Sequence, residues 1–389
     1  MGKRNTMNRE KDKLQRETAV NIYNDENKGS LVAAATGFGK SRVPILYMKD
    51  NQDSVKKVAI IVPTRNLRDN GWKEEFSTWK AKTLYKRVET LCYASASKIK
   101  GNKYDLVILD EVHNITETSA LFFEQNEVKK VIALTATVPK EQIKLDIFKN
   151  LGIQTVFKLS IDEAQEKGFV APYKIHVIYT SLDKHTENIE VKSKKGNFFV
   201  TEQYMYNFLN KNVELAKKMG NWKLHEVNIR KRADFIYRLK SKNRAAQTIL
   251  ENIKGQRNLI FSGSIEQAEA LNRPVYHSKS GNKGVENLRK FCLGEIDELS
   301  SVKSLNEGEN IPNLDNAVIV QIASKERHLV QRIGRVCRWR EGHEADIYII
   351  VCLGTQDEVW LESALENINK DKIKYYTLDS YIYENKSKT

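Results

Sequence analysis

The chain has 389 residues, of which 40% are hydrophobic and 29% charged, and its formal net charge is +14. This composition is typical of a folded protein with more than one core and a polyanionic partner. Apolar runs fall short of the roughly 20 residues that a membrane-spanning helix needs, so we expect no membrane partner. The N-terminal residues lack the apolar segment of a secretory signal, which favours the cytoplasm. The four cysteines lie far apart, and we expect reduced thiols rather than a zinc site.

Short apolar runs alternate with amphipathic stretches over the first part of the chain. Near-continuous apolar strands separated by helices are typical of a parallel sheet covered on both faces. We therefore predict an α/β domain over residues 1–160. Its predicted strands are Leu31–Ala34, Val58–Val62, Thr90–Tyr93, Leu106–Leu109, Val131–Leu134 and Thr155–Leu159.

The alternation breaks over residues 161–250, where we predict a basic connector that is partly helical. Lys211–Arg257 holds 13 Lys or Arg residues against 4 Asp or Glu. Helices are predicted at Gln203–Met219 and Ala233–Ile253. The alternation then resumes, which predicts a second α/β domain over residues 251–389. Its predicted strands are Asn258–Phe261, Pro274–Tyr276, Val302–Leu305, Ala317–Ile322 and Asp346–Val351.

A glycine-bearing loop follows the first predicted strand and precedes a helix. Gly37 and Gly39 allow backbone amides to turn around an anion, and Lys40 is placed to reach outer phosphates. The hydroxyl of Ser41 is a candidate Mg²⁺ ligand, and the helix dipole favours the same phosphates. An ordinary turn between strand and helix is the alternative for this stretch alone. The predicted ATP-binding residues are Thr36, Gly37, Phe38, Gly39, Lys40 and Ser41.

Two adjacent carboxylates follow the apolar strand Leu106–Leu109. Asp110 is a candidate Mg²⁺ ligand, and Glu111 is a candidate base that orients and deprotonates the attacking water. Phosphoryl transfer needs both functions. A buried strand followed by a polar turn is the alternative for this segment alone.

Together, these segments resemble the motifs of superfamily 2 helicases, in the family's order along the chain. The closest resemblance is to the translocase subunits of type I and III restriction enzymes and to phage branch-migrating helicases. Gln331–Arg338 fits Q-R-x-G-R-x-x-R at every fixed position, whereas Asn310 stands where the family usually has Asp. The other matching segments are Ala34–Ser41, Ile61–Arg65, Asp110–His113, Thr135–Thr137 and Glu307–Pro312.

The resemblance implies two RecA-like domains that use ATP and Mg²⁺. It implies that Arg335 and Arg338 act as arginine fingers on the γ-phosphate and that Gln331 helps to place the water. It also implies that Thr135, Thr137 and Gly308 couple the ATP state to movement of the domains. Gln15 is either a residue that reads adenine or an exposed helix residue.

We expect an ATP-dependent helicase or translocase that acts on DNA, branched or duplex, in a prokaryotic or phage setting. An RNA helicase, or a nucleotide-gated clamp that recruits a protein partner, is the alternative. Contacts should be mostly to phosphates, which fix position rather than sequence. Phe198, Phe199, Tyr204 and Tyr206 either stack on bases or belong to the core. The predicted nucleic-acid contacts are Thr64, Arg65, Ser95, Ser262, Arg230, Lys231 and Arg232.

Overall fold

The computed structural model describes residues 2–193, 196–302, 311, 313–322, 329, 333, 343–366 and 368–386. The chain forms two compact units, Met1–Val170 and Ala171–Thr389. The predicted boundaries at residues 160 and 250 stay a prediction. Cys92, Cys292 and Cys352 carry free thiols, as expected, and Cys337 lies outside the described residues. Among the described helices, none has the length and apolar character that crossing a bilayer requires.

The first unit is built on a six-stranded sheet in which every neighbouring pair is parallel. Its strands are β1 (Gly29–Ala34), β2 (Val58–Val62), β3 (Val88–Cys92), β4 (Lys103–Leu109), β5 (Glu127–Thr135) and β6 (Ile153–Leu159). Their order across the sheet is β3-β2-β4-β5-β1-β6. Every residue of β1 and β2 is buried, as continuous apolar strands between two helical layers require. The predicted parallel sheet is confirmed.

Helices cover this sheet, and side chains such as Phe122, Ile147 and Phe148 join the strands in one core. The eight helices described for this unit are α1 (Gly2–Asn24), α2 (Arg42–Asp50), α3 (Trp72–Thr78), α4 (Lys82–Tyr85), α5 (Tyr93–Ala96), α6 (Glu117–Gln125), α7 (Gln142–Asn150) and α8 (Ile161–Glu166). A π-helical turn at Leu67–Gly71 and a 3₁₀ turn at Val112–Asn114 interrupt the pattern.

The second unit begins with β7 (Tyr173–Ser181) and a separate antiparallel ribbon of β8 (Ile189–Ser193) and β9 (Gly196–Val200). Three helices follow: α9 (Glu202–Lys218), α10 (Trp222–Ile236) and α11 (Lys240–Asn252). The single helix predicted at Ala233–Ile253 is wrong, because the chain breaks between α10 and α11. The buried carboxylate of Glu202 accepts a hydrogen bond from the backbone amide of Ser241 at 3.1 Å, which stabilises the start of α11.

A second parallel sheet, of seven strands, has the order β11-β12-β10-β13-β14-β7-β15. Its further strands are β10 (Asn258–Ser262), β11 (Val275–Tyr276), β12 (Glu298–Val302), β13 (Asn316–Ile319), β14 (Ala345–Leu353) and β15 (Ile373–Thr377). The remaining described helices are α12 (Ile265–Ala270), α13 (Gly281–Leu293), α14 (Gln356–Leu365) and α15 (Leu378–Lys386). Two parallel sheets with covering helices confirm the predicted fold class. Of the strand predicted at Val302–Leu305, only Val302, in β12, belongs to the part of the chain that the structure describes.

Candidate active site

The carboxyl ends of β1, β4 and β5 lie at one edge of the first sheet, because all strands of this sheet are parallel. Lys40 and Asp110 lie in the loops that follow β1 and β4, and Thr135 is the last residue of β5. β5 lies between the other two strands, so the ends of β1 and β4 are separated by about 10 Å, two strand spacings. This edge is where open α/β sheets bind their ligands.

Two glycines shape the loop after β1. Gly37 has φ +102° and Gly39 has φ +76°, in the region that side chains rarely adopt. A Cβ atom at Gly39 would lie 2.9 Å from the amide nitrogen of Gln15. Between the glycines, the fully buried ring of Phe38 stacks on Phe157 with a centroid distance of 5.0 Å. Phe38 therefore anchors the loop to the core. Gly39, which has no side chain, allows the loop backbone to pass close to Gln15.

Gln15, on α1, binds the backbone of this loop through its side-chain amide. Its Nε2 donates hydrogen bonds to the carbonyl oxygens of Phe38 at 2.6 Å and Gly39 at 3.3 Å. Its Oε1 accepts a hydrogen bond from Nη1 of Arg42 at 2.7 Å. Gln15 is 1% exposed, so the interpretation as an exposed helix residue is wrong. Both ends of its amide are engaged by the loop and by α2, and adenine recognition stays a prediction.

Lys11 adds a second contact from α1, which sequence reasoning missed. Its ammonium donates a hydrogen bond to the carbonyl oxygen of Gly37. Burial, and the nearby charge of Arg42, lower the pKa of Lys11. No local motif marks Lys11 or Gln15 as loop contacts, because their partners lie more than 20 residues away in sequence.

Lys40 and Ser41 stand at the start of α2. The ammonium of Lys40 donates a hydrogen bond to the carbonyl oxygen of Ala34 at 3.0 Å, so its charge lies at the mouth of the loop. Ser41 is the N-cap residue, and its hydroxyl makes no capping hydrogen bond within the described part of the chain. The amide end of α2 and the charge of Lys40 together favour an anion at this position.

Asp110 is held in place by two aromatic side chains. Nε1 of Trp72 donates a hydrogen bond to Oδ2 of Asp110 at 3.0 Å, and the hydroxyl of Tyr93 donates one to its backbone oxygen at 3.0 Å. Trp72 is 1% exposed, so the carboxylate is fixed by a rigid buried donor. This contact orients Asp110 at the edge of the sheet, where its carboxylate is the candidate ligand of a cation.

Glu111 adopts the left-handed conformation, with φ +47° and ψ +57°. This conformation costs a residue with a Cβ about 1–2 kcal/mol, and such strain concentrates at functional sites. Its Oε2 lies 3.4 Å from Nδ1 of the buried His113. The strained turn places the carboxylate of Glu111 next to the imidazole rather than along the strand.

His113 connects Glu111 to the end of β5. Its Nδ1 lies 3.4 Å from the hydroxyl of Thr135, and Nδ2 of Asn114 lies 3.2 Å from its Nε2. The tautomer of His113 sets which of its two ring nitrogens donates in these contacts. The hydroxyl of Thr135 donates a hydrogen bond to the carbonyl oxygen of Thr137 at 2.8 Å. Two predicted motifs, Asp110–His113 and Thr135–Thr137, are therefore linked through one buried imidazole.

The predicted nucleic-acid contacts differ in accessibility. Arg65 is exposed, and the hydroxyl of Thr64 accepts a hydrogen bond from the amide of Leu67 at 3.3 Å. Ser95 is half-buried and donates to the carbonyl oxygen of Cys92 at 3.1 Å. Ser262 is 1% exposed and its hydroxyl lies 3.2 Å from that of Ser300, which argues against a phosphate contact from this side chain.

The three basic residues of α10 also differ. Arg230 and Lys231 are exposed, and Arg230 forms an ion pair with Glu226 of the same helix. Arg232 is half-buried, and its Nη2 donates a hydrogen bond to Oε1 of Gln356 in α14 at 2.7 Å. We therefore correct the prediction: Arg232 joins helices, whereas Arg230 and Lys231 remain candidates for phosphate contacts.

Four predicted residues, Gly308, Gln331, Arg335 and Arg338, lie outside the described residues, and their roles stay predictions.

Sequence reasoning also missed a buried ion pair in the second unit. Nζ of Lys242 lies 2.7 Å from Oδ2 of Asp357, and neither residue is exposed. Oε1 of Gln321 accepts a second hydrogen bond from Lys242 at 2.8 Å.

Comparison with known proteins agrees with this architecture. The family described as the helicase conserved C-terminal domain matches residues 241–340. The DNA 3'-5' translocase XPB2 of Sulfurisphaera tokodaii is 25% identical over 376 residues, which cover 89% of this chain and 84% of that protein.

Two further similarities are more distant. The putative ATP-dependent RNA helicase MJ1505 of Methanocaldococcus jannaschii is 22% identical, and the match covers 87% of this chain but 58% of that protein. This chain therefore spans little more than half of that relative. Among solved structures, S. cerevisiae Dbp5 bound to RNA and ADP BeF3 has a TM-score of 0.59 at 11% identity, covering 93% of this chain and 89% of that one. At this level of identity, the similarity shows a shared fold alone.

Tandem parallel-sheet domains with a phosphate-binding loop and an acidic strand end define the RecA-like motor class. Within this class, the match to the helicase conserved C-terminal domain and the similarity to a DNA translocase relate the chain to the superfamily 2 helicases.

Proposed function

We propose that this chain is an ATP- and Mg²⁺-dependent DNA translocase that acts on duplex or branched DNA. The observation that carries the proposal is the convergence of Lys40, Asp110 and the pair Glu111–His113 at one edge of the first sheet. A cationic loop, a candidate metal ligand and a candidate base are the parts that ATP hydrolysis requires.

The residues at this edge fit a magnesium ion held together with ATP. Mg²⁺ prefers oxygen ligands and is commonly bound by one or two protein oxygens plus substrate phosphates and water. Asp110 and Ser41 supply such oxygens. Bound Mg²⁺ would neutralise charge on the phosphates.

Each residue of the edge then has a defined role. Lys40 stabilises charge on the outer phosphates, and Glu111 orients and deprotonates the attacking water. Nδ1 of His113 lies 3.4 Å from both Glu111 and Thr135, so a change in charge at Glu111 alters the electrostatic environment at the end of β5. The proposed roles of Arg335 and Arg338 as arginine fingers, and of Gln331 in placing the water, are based on their sequence motif alone.

Support for DNA over RNA comes from the relatives. The relative with 25% identity is named a DNA 3'-5' translocase, and the match covers most of both chains. An RNA helicase is the second candidate, because a relative at 22% identity is named a putative RNA helicase. A cytoplasmic location in a prokaryotic or phage-infected cell, and a protein partner, are further expectations from the sequence.

A displacement assay separates the two candidates. A third strand is annealed to a DNA duplex or to an RNA duplex of matched sequence, and its release is measured with ATP. The proposal predicts ATP-dependent release from DNA and much slower release from RNA. Faster release from RNA would favour the RNA helicase. Lys40→Ala is the matched control, because it removes the phosphate-facing charge and should release neither strand.

A further inference from the structure

Helices α9 and α10 form a helical hairpin, because only a few residues connect them and they pack against each other. Nδ2 of Asn228 donates a hydrogen bond to the backbone oxygen of Asn212 at 3.0 Å, which fixes their pairing. Gly220 turns the chain with φ +64°, and the side chain of Asn221 caps α10 through the amide of Leu224 at 3.0 Å. We call residues Leu215–His225 the hairpin tip. Its ends are capped, so it is an ordered element.

The hairpin tip carries large apolar side chains that face solvent. Met219 is 73% exposed and Trp222 is 67% exposed, while Leu215 and Leu224 are 45% and 41% exposed. Trp222 contacts the ring of His225 edge to face, at 5.8 Å and 89°. Contiguous apolar exposure of this kind marks an interaction site, and an exposed indole favours a partner with flat apolar faces.

The charge of the hairpin tip restricts the partner further. Lys217, Lys218 and Lys223 lie among the apolar side chains and are all exposed. The sequence from Leu215 to His225 contains no Asp or Glu. A surface that combines cations with an exposed aromatic ring is complementary to a polyanion that also presents apolar faces. Nucleic acid with unpaired bases has both properties.

We infer that the hairpin tip binds unpaired nucleotides at the junction of forked DNA. Trp222 stacks on a base, and the three lysines contact the flanking phosphates. This inference rests on the proposed function, because it takes nucleic acid as the substrate. It adds a base-stacking site on a part of the second unit to which none of the helicase motifs belongs, and it gives the protein a preference for junctions over continuous duplex.

The test measures binding of forked DNA that carries a fluorescent adenine analogue at the first unpaired base. Base stacking on an aromatic side chain corresponds to about a 5- to 150-fold change in affinity. Trp222→Ala should weaken fork binding by this factor and abolish the fluorescence change, and Trp222→Phe should keep most of both. Affinity for a fully paired duplex and basal ATP hydrolysis should stay unchanged in these variants.

A charge variant and a matched control complete the design. Replacing Lys217, Lys218 and Lys223 with Ala should flatten the slope of log K against log salt by up to about two units on single strands. Tyr383→Ala is the control, since Tyr383 is 78% exposed on α15 but lies between the acidic residues Asp379 and Glu384. Its fork affinity should equal that of the parent.

The outcomes distinguish this inference from the proposed function. If the parent binds forked DNA and Trp222→Ala binds it equally well, the inference is overturned while the proposed function stands. An equal loss on fork and duplex would also overturn it, because base stacking needs unpaired bases. Binding of anionic phospholipid vesicles that depends on Trp222, with fork affinity intact, would assign the tip to a membrane surface instead. If the parent binds no DNA, both fail.

Discussion

Replacing Glu111 with Asn separates the chemistry of this residue from its backbone strain. Glu111 occupies the left-handed conformation, which costs a non-glycine residue about 1–2 kcal/mol, and Asn is among the residues that tolerate it best. Asn also has no carboxylate to serve as a base. We therefore expect the variant to lose hydrolysis without losing stability.

The magnitudes follow from these two effects. Removal of a general base costs about 10²–10⁴ in rate, which is about 3 to 5 kcal/mol of activation free energy. The free energy of unfolding should stay unchanged or rise by up to about 1 kcal/mol, part of the strain that Asn relieves. ATP should still bind, because Lys40 and Asp110 remain. Glu111→Val, whose branched side chain suits this conformation poorly, should lose both stability and rate.

The assay is single-turnover ATP hydrolysis together with denaturant unfolding of the same samples. Single-turnover rates isolate the chemical step from product release. A near-parental rate in Glu111→Asn would exclude Glu111 as the base. A drop of more than about 2 kcal/mol in its unfolding free energy would refute the strain argument, since loss of the contact with His113 alone costs less.

Further predictions concern the loop, the arginine motif and the connector. Lys40→Ala should abolish ATP turnover, measured by phosphate release, while binding of nucleic acid without nucleotide survives. Arg338→Ala should lower turnover by about 10³–10⁵, and near-parental turnover would leave Arg335 or no finger as the better account. The double change Arg230→Ala with Lys231→Ala should flatten the salt slope of duplex binding by up to about two units, with basal ATPase unchanged. Arg232→Ala should instead lower the melting temperature, because its hydrogen bond to α14 is lost.

The parallel sheets could be predicted because their strands are continuous apolar runs bounded by turns. Predicted strands such as Val58–Val62 agree with the structure to the residue. β15 was not predicted, since Ile373–Thr377 contains no buried residue and pairs with β7 far earlier in the sequence. The break between α10 and α11 was not predicted either, and the carboxylate that contacts the start of α11, Glu202, lies nearly 40 residues away in sequence.

In the candidate site too, some features could be predicted from the sequence and others could not. Residues at the ends of strands, such as Lys40 and Asp110, could be predicted because spacing along the chain determines their placement. The contacts that orient them could not. Trp72 on Asp110 and Gln15 on the loop come from elements distant in sequence, and their roles follow only from the packing of α1 and α3 against the sheet edge.

The central claim is that ATP hydrolysis at the edge of the first sheet drives movement on nucleic acid. Its most direct test is the steady-state ATPase rate of the parent with no nucleic acid and with single-stranded, duplex, forked and four-way DNA, and RNA. The account predicts a low basal rate, stimulation that is strongest with duplex or branched DNA, and none in Lys40→Ala. An ATPase rate that no nucleic acid raises would contradict it.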